Sequence, residues 1–303
     1  MQFTVKILGA GSATPALGRH PTSQLVQIDN DLFLIDCGEG TQSRLLEQRA
    51  KVGKLRAIFI SHLHGDHYLG LTGLLSTLNM GGRTDPLLLF GPQGLDDIIT
   101  LQFKYSDTRL EYPLHFHQNQ TKLNQTIFEN DKVAISTIPL DHRVNCCGFL
   151  FREKPQLRNL IKENLEDDMP FEYLKLLKQG LDVRDEMGQT IYRADDYTHP
   201  LAPLRSYAFC SDTRYDERIV PIISGATLLY HEATFLNEKT QRAIDRYHAT
   251  AEQAGVIAQK AQVKRLIIGH FSSTYREFTP FLNEARAAFK NTDLALEGLE
   301  FEI

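Results

Sequence analysis

The chain has 303 residues, of which 42% are hydrophobic and 23% charged, and a formal net charge of -5 at pH 7. That length buries a substantial core, as one large domain or two small ones, and the composition excludes a disordered chain. The acidic balance argues against a generally basic nucleic-acid binder, although a local patch or bound metal ions can still supply a positive field.

Cys37, Cys146, Cys147 and Cys210 show neither CxxC spacing nor a disulfide framework. The start, Met1-Gln2-Phe3-Thr4-Val5, lacks a basic region followed by a long apolar stretch, and no run approaches the length of a membrane span. The expectation is a cytoplasmic protein with no membrane association.

In chain order, residues 2–9 and 24–36 read as short strands. Between them, Gly9-Ala10-Gly11-Ser12-Ala13-Thr14-Pro15 fails as a dinucleotide loop: Thr14 stands where the third glycine belongs, and Pro15 where a helix should begin. It reads as a substrate-facing loop or a plain turn. Leu32 to Ile35 form a buried strand ending in Asp36-Cys37-Gly38-Glu39-Gly40, and Glu39 to Arg49 have helical character. Asp36 fits two roles, a turn residue or an acceptor that fixes the tautomer of a metal-bound histidine.

After the apolar run Ala57-Ile58-Phe59-Ile60 comes Ser61-His62-Leu63-His64-Gly65-Asp66-His67. Imidazole nitrogens and carboxylate oxygens are natural zinc donors. His62 and His64, two apart at a strand end, project to one face. Asp66 and His67 follow a glycine that permits a sharp turn, and they aim at a second point. Two ligand pairs presented to adjacent points imply a dinuclear metal site.

Leu69, Leu71, Leu74, Leu75 and Leu78 then mark an amphipathic helix, whose N-terminal dipole beside the ligands would favour hydroxide and phosphate. A strand over Pro86–Gly91 and a helix over Gly94–Phe103 follow, then strands near Leu114–Phe116, Val133–Ile138 and Gly148–Phe151. His115 and His117 alternate on one strand and read as solvated or packing positions. Three later strands each end in a donor: His142 after Val133–Leu140, Asp212 after Ser206–Ser211, and His270 after Leu266–Gly269. Each could be a turn residue, but three beside the opening cluster form a pattern. The element order predicts two packed sheets with helices outside. Residues 152–203 break the rhythm with clustered charge, including Glu166-Asp167-Asp168, and with four prolines. They read as an excursion from a single domain over 1–303, carrying a helix near Phe171–Gln179 that ends at Gly180.

The run Ser61–Leu71, then His142, Ser211-Asp212-Thr213, His231-Glu232-Ala233-Thr234-Phe235, Tyr247-His248-Ala249-Thr250 and Gly269-His270-Phe271-Ser272 resembles the metallo-β-lactamase fold superfamily. Within it, the chain resembles the ribonuclease Z family, whose members mature the tRNA 3′ end. The resemblance runs from the first strand to about residue 280. It implies an α/β four-layer αββα sandwich in which 152–203 is an inserted exosite-like arm.

Carried over by position, it implies that His62, His64 and His142 hold one zinc. Asp66, His67 and His270 hold the second, and Asp212 bridges them, giving two Zn²⁺ per subunit, with other divalent metals possible. It also implies phosphodiester hydrolysis of precursor tRNA by a hydroxide held between the metals, with Asp66, His248 and Glu232 catalytic, and a homodimer. His248 could instead cap the helix that begins near Thr250. Arg19, Ser272, Tyr173 and Lys175 are the candidate substrate contacts. In three places the chain departs from the family. Pro15-Ala16-Leu17-Gly18-Arg19-His20 lacks the family loop's Lys and Asn, Thr274 replaces an Arg, and the arm lacks a Gly-Pro step. These departures keep open a small-molecule zinc hydrolase on the same core, such as a cyclic-nucleotide phosphodiesterase or an arylsulfatase.

Overall fold

The computed structural model describes residues 2–303 apart from Pro15, Leu17 and Asp167, so the sequence readings that touch those three lie outside the described residues. Two seven-stranded sheets form the body. In spatial order the first runs Glu300–Glu302, Phe3–Gly9, Ser23–Ile28, Asp31–Ile35, Leu55–Phe59, Leu87–Gly91, Leu114–Gln118. From Asp31–Ile35 outward its pairings are parallel. The second runs Thr292–Leu294, Arg265–Gly269, Leu228–Glu232, Ser206–Cys210, Cys147–Glu153, Val133–Pro139, Thr126–Glu129. Its first four strands are parallel, and Cys147–Glu153 joins them antiparallel.

Side-chain alternation along a strand sorts residues into layers. On one face of the first sheet, Phe33 and Phe59 meet Phe151 and Phe149 of the second, with ring centroids 5.9 and 5.3 Å apart. Their neighbours Leu34 and Ile58 point the other way, into a cluster with Leu71, Leu74, Leu75, Leu78, Leu95 and Ile99 from flanking helices. The second sheet repeats the arrangement: Leu150, Ala208, Leu229 and Ile268 pack against Ala254, Ile257 and Phe281 of the helices Ala251–Lys260 and Thr279–Ala288. Sheets covered on both faces need near-continuous apolar runs, which is how Ala57–Ile60 and Leu266–Ile268 read. Each fully buried aromatic or aliphatic side chain contributes about 1.5–3 kcal/mol. The result is the expected αββα sandwich.

Two readings are corrected. Residues 24–36 are a hairpin of two strands, turning at Asp29, which takes φ +50°, and Asn30. The leucine-rich helix is two pieces, Gly65–Tyr68 and Leu71–Met80. Gly70 lies between them because its N–H donates to Cys37 O at 2.9 Å, and a Cβ there would sit 2.2 Å from Gly38 O. The break leaves Leu69 58% exposed rather than on the buried stripe.

The chain divides into two compact units, one comprising 130–133 with 153–204 and the other the remainder. Within the small unit, Met169, Leu177, Val183 and Ala194 form a miniature core beside Tyr173, Tyr192 and Tyr197. Its helix Phe171–Lys178 ends in a Schellman arrangement: Gly180, at φ +78°, donates to Leu177 O, and Leu181 donates to Leu176 O. A two-stranded ribbon, Val183–Arg184 with Thr190–Tyr192, completes it. Among the described residues, no helix is long and apolar enough to cross a membrane.

Thr250 carries a capping box with Gln253 at the start of the helix Ala251–Lys260. Thr250→Ala is expected to cost about 1 kcal/mol, read as a lower urea midpoint at an unchanged m-value. An unaltered midpoint would show that the box does not anchor this helix.

Candidate metal centre and active-site cleft

The second sheet's parallel strands point their C-terminal ends the same way, and each hands over a polar residue: Asp212 after Ser206–Cys210, Glu232 at the end of Leu228–Glu232, and His270 after Arg265–Gly269. Carboxyl ends of parallel strands are the usual location of ligand sites in α/β sheets. The first sheet contributes His62 and His64 after Leu55–Phe59, and His142 follows Val133–Pro139.

These donors fall into two groups around one carboxylate. His62 Nε2 lies 3.0 Å from His64 Nδ1, which lies 3.2 Å from His142 Nε2. Asp212 Oδ2 is 3.6 and 3.7 Å from His62 and His142 Nε2. In the second group, His67 Nε2 and His270 Nε2 lie 3.4 and 3.5 Å from Asp66 Oδ2, and 3.5 and 3.1 Å from Asp212 Oδ1. Zn–N and Zn–O bonds of about 2.0–2.1 Å in a tetrahedron place neighbouring donors roughly 3.3 Å apart, so both groups have the spacing of a ligand shell. Among the described residues, His67 Nε2 and His270 Nε2 have no hydrogen-bond partner although both are buried, a costly state unless a cation faces them.

The opposite edge of most rings is held. His67 Nδ1 donates to Asp36 Oδ2 at 2.7 Å, while the same fully buried carboxylate accepts from Ser61 N–H at 2.7 Å and Ser61 Oγ at 2.9 Å. Asp36 is therefore an acceptor that fixes a tautomer, rather than only a turn residue. His142 Nδ1 donates to Tyr247 O at 3.0 Å, and His270 Nδ1 pairs with Thr234 Oγ1 at 2.9 Å. Such outer partners orient ligating histidines and fix their tautomers. Asp36, Tyr247 and His270 adopt φ of +55°, +60° and +62°, conformations that cost a non-glycine residue on the order of 1 kcal/mol and gather at functional sites.

Electrostatics point the same way. Burial drives His62 well below its ordinary range and keeps the ring neutral, the form that ligates. Burial also opposes charge on His67, yet Asp66, Asp212 and Asp36 outweigh it and push that ring well above its usual value. Asp212 is held far below the carboxylate range, against its own burial, by the imidazoles of His270, His67 and His62. The centre asks for positive charge.

His248 adjoins it, its ring centroid 5.4 Å from those of His142 and His270. Its Nδ1 meets Glu232 Oε1 at 2.7 Å. Glu232, fully buried, also accepts from the N–H groups of Thr213 and Thr234 and from Thr234 Oγ1. Burial lowers His248, but Glu232 prevails and raises it to about 9. The capping role considered for His248 belongs to Thr250. His231 points elsewhere: it is buried, its Nδ1 donating to Glu232 O. His117 stacks on Phe90, and His115 is exposed.

A cleft of about 600 Å³ opens over the centre, lined by His64, Asp66, His142, Asp212 and His248 together with Ser12, Ala13, Ser272, Ser273 and Thr274. The glycine-rich loop does face it, Ala13 N–H donating to Asp66 Oδ2 at 2.7 Å. Ser272 lines the cleft. Arg19 does not; its guanidinium donates to Ser272 O and Ser273 O and sits over Phe278, so it fixes the loop that lines the wall. Tyr173 and Lys175 lie on the helix Phe171–Lys178 of the small unit, Tyr173 packed near Tyr192 and Lys175 exposed. Sequence reading missed Thr234, which ties Glu232 to His270, and the cleft arginines Arg143, Arg242 and Arg246. The Thr in His231–Phe235 was the available signal for the first.

An αββα sandwich whose strand ends bring two His/Asp groups onto a shared carboxylate defines a metal-dependent hydrolase of the metallo-β-lactamase fold. Residues 3–158 match the family model described as Anti-Pycsar protein Apyc1. The chain is 48% identical over 303 residues to the ribonuclease Z of Cytophaga hutchinsonii, covering 100% of this chain and 97% of that one. It is 44% identical over 299 residues to the ribonuclease Z of Bacteroides thetaiotaomicron, covering 98% and 94%. Human tRNase Z, short form, shares the fold at a TM-score of 0.71 and 23% identity, covering 98% of each chain. The chain belongs to the ribonuclease Z family and, over residues 3–158, also to the family described by the Apyc1 model.

Asp36→Asn removes the charge behind His67 and is expected to weaken metal affinity about 10–100-fold, measured by competition with a chromophoric chelator. Wild-type affinity in that variant would contradict the role given to Asp36.

Proposed function

We propose that the cleft holds two zinc ions per chain and that the protein is an endonuclease removing the 3′ trailer from precursor tRNA. The observation that carries this reading is Asp212, whose two carboxylate oxygens face different donor groups. In this reading His62, His64 and His142 would hold one ion and Asp66, His67 and His270 the other, with Asp212 shared between the two groups; other divalent metals suit the same donors. The chemistry such cations would supply when bound is neutralisation of the scissile phosphate and a water pKa lowered toward ~7.

The remaining work falls to the chain's own side chains. Asp66 takes a proton from the attacking water. His248, its proton retained by Glu232, faces the cleft and protonates the departing 3′-oxygen, leaving a 3′-hydroxyl on the tRNA body. Substrate selection rests on shape and phosphate contacts more than on base reading. Ser272 and the Arg19-held loop form one wall, and Tyr173 and Lys175 serve as arm contacts in a homodimer. The sequence similarity to proteins named ribonuclease Z, extending over the whole chain, supports this assignment over a small-molecule hydrolase.

His248→Ala is expected to lower kcat on a 3′-extended pre-tRNA about 10²–10⁴-fold with metal content unchanged by mass spectrometry. Full turnover would remove His248 from the mechanism. Glu232 holds His248 protonated up to about 9. A required acid loses activity as pH rises through its pKa, so Glu232→Gln should move the alkaline limb of the kcat profile to lower pH. A limb that stays in place would detach Glu232 from that proton.

A further inference from the structure

We infer that Arg242 and Arg246, with Arg143, form a cationic rim that binds RNA phosphates flanking the scissile one. The inference rests on the precursor-tRNA reading and assigns substrate contacts within it. Arg242 and Arg246 lie four residues apart on the helix Thr240–Arg246, a spacing that places both on one face. Both line the cleft with Arg143, and all three are exposed.

What distinguishes them is a combination: they line the cleft, and among the described residues none of them meets a carboxylate, whereas Arg49, Arg109 and Arg276, also without an ion pair, lie outside that lining. Elsewhere in the large unit, Arg44, Arg56, Arg214, Arg218, Arg265 and Arg286 each meet an Asp or Glu within 4.0 Å. Among the described residues, Arg242 has only the ring of Phe235 beneath it, at 5.7 Å. Among the described residues, Arg143 meets only His64 Nε2, at 3.0 Å, and no hydrogen bond or ion pair engages Arg246. Apart from the metal donors, the cleft's acidic lining among the described residues is Glu39 alone, against three arginines. In a chain of net charge -5, three unneutralised guanidinium groups beside a phosphodiester centre mark where a polyanion is received. Hydroxyls of Ser12, Ser272, Ser273 and Thr274 on the same lining complete a surface suited to phosphate oxygens.

These positions also bear on one departure noted in the sequence. The Arg replaced by Thr274, which lines the cleft, leaves positive charge off one wall. Arg242 and Arg246 restore it from the helix that precedes His248.

The test is the salt dependence of kcat/KM on 3′-extended pre-tRNA, measured with zinc-loaded enzyme between 50 and 200 mM KCl. Each phosphate left unbound by a substitution should reduce the log–log slope by about 1. The R242Q/R246Q double variant is expected to lower the slope by about 2 and to raise KM about tenfold or more. R242K/R246K should keep the slope, because charge rather than shape sets it. The control Lys104→Gln, on a helix away from the cleft, should also keep it. A slope in R242Q/R246Q equal to wild type overturns the rim while leaving the substrate reading intact. A wild type that does not cleave pre-tRNA overturns both.

Discussion

Five imidazole nitrogens and two carboxylates brought to within about 3–4 Å of one another are the constraint on which this structure turns. Ring nitrogens crowd one another there, and among the described residues His67 Nε2 and His270 Nε2 lie buried with no hydrogen-bond partner. Such an arrangement persists only when rigid surroundings hold it and a cation lies among the donors. Both conditions leave traces here. Asp36, Thr234 and the Tyr247 carbonyl grip the far edges of the rings, and the aspartates bias the centre toward added positive charge.

The sandwich supplies the rigidity. Register is fixed by what each face packs against: a one-residue slip would turn Phe33 and Phe59 out of the interface between the sheets and bring Leu34 and Ile58 into it. Because the register is fixed, the residue after each strand is delivered to a defined place. Three positive-φ residues at the site, Asp36, Tyr247 and His270, then direct the chain where an extended continuation could not. The same economy links the two histidines: Thr234 Oγ1 meets both Glu232, the partner of His248, and His270, so one hydroxyl joins the settings of both rings.

The parts of this molecule legible in the sequence are those where local chemistry and burial agree. The His62–His67 cluster, the donors ending three later strands, the helix opening at Thr250 and the helix closing at Gly180 all announce themselves in neighbouring residues. Leu69 misled because helical periodicity continued through Gly70, and only the approach of Gly38, distant in sequence, shows why the helix breaks there. Thr292–Leu294 and Glu300–Glu302 are too short to signal strands without the partners they extend. Arg19 read as a substrate contact, yet its nearest acceptors are carbonyls about 250 residues away. Arg242 and Arg246 look like ordinary helix-surface charges until the fold brings them to the cleft.

The large unit thus combines an almost wholly apolar frame with a small polar centre whose aspartates favour added positive charge. Titrating metal-free protein with zinc while following release of the 3′ trailer from pre-tRNA tests that preference most directly. The account predicts activity that rises to a plateau at two equivalents per chain, with a 3′-hydroxyl on the tRNA body. A plateau at one equivalent, or cleavage undiminished without metal, would contradict it.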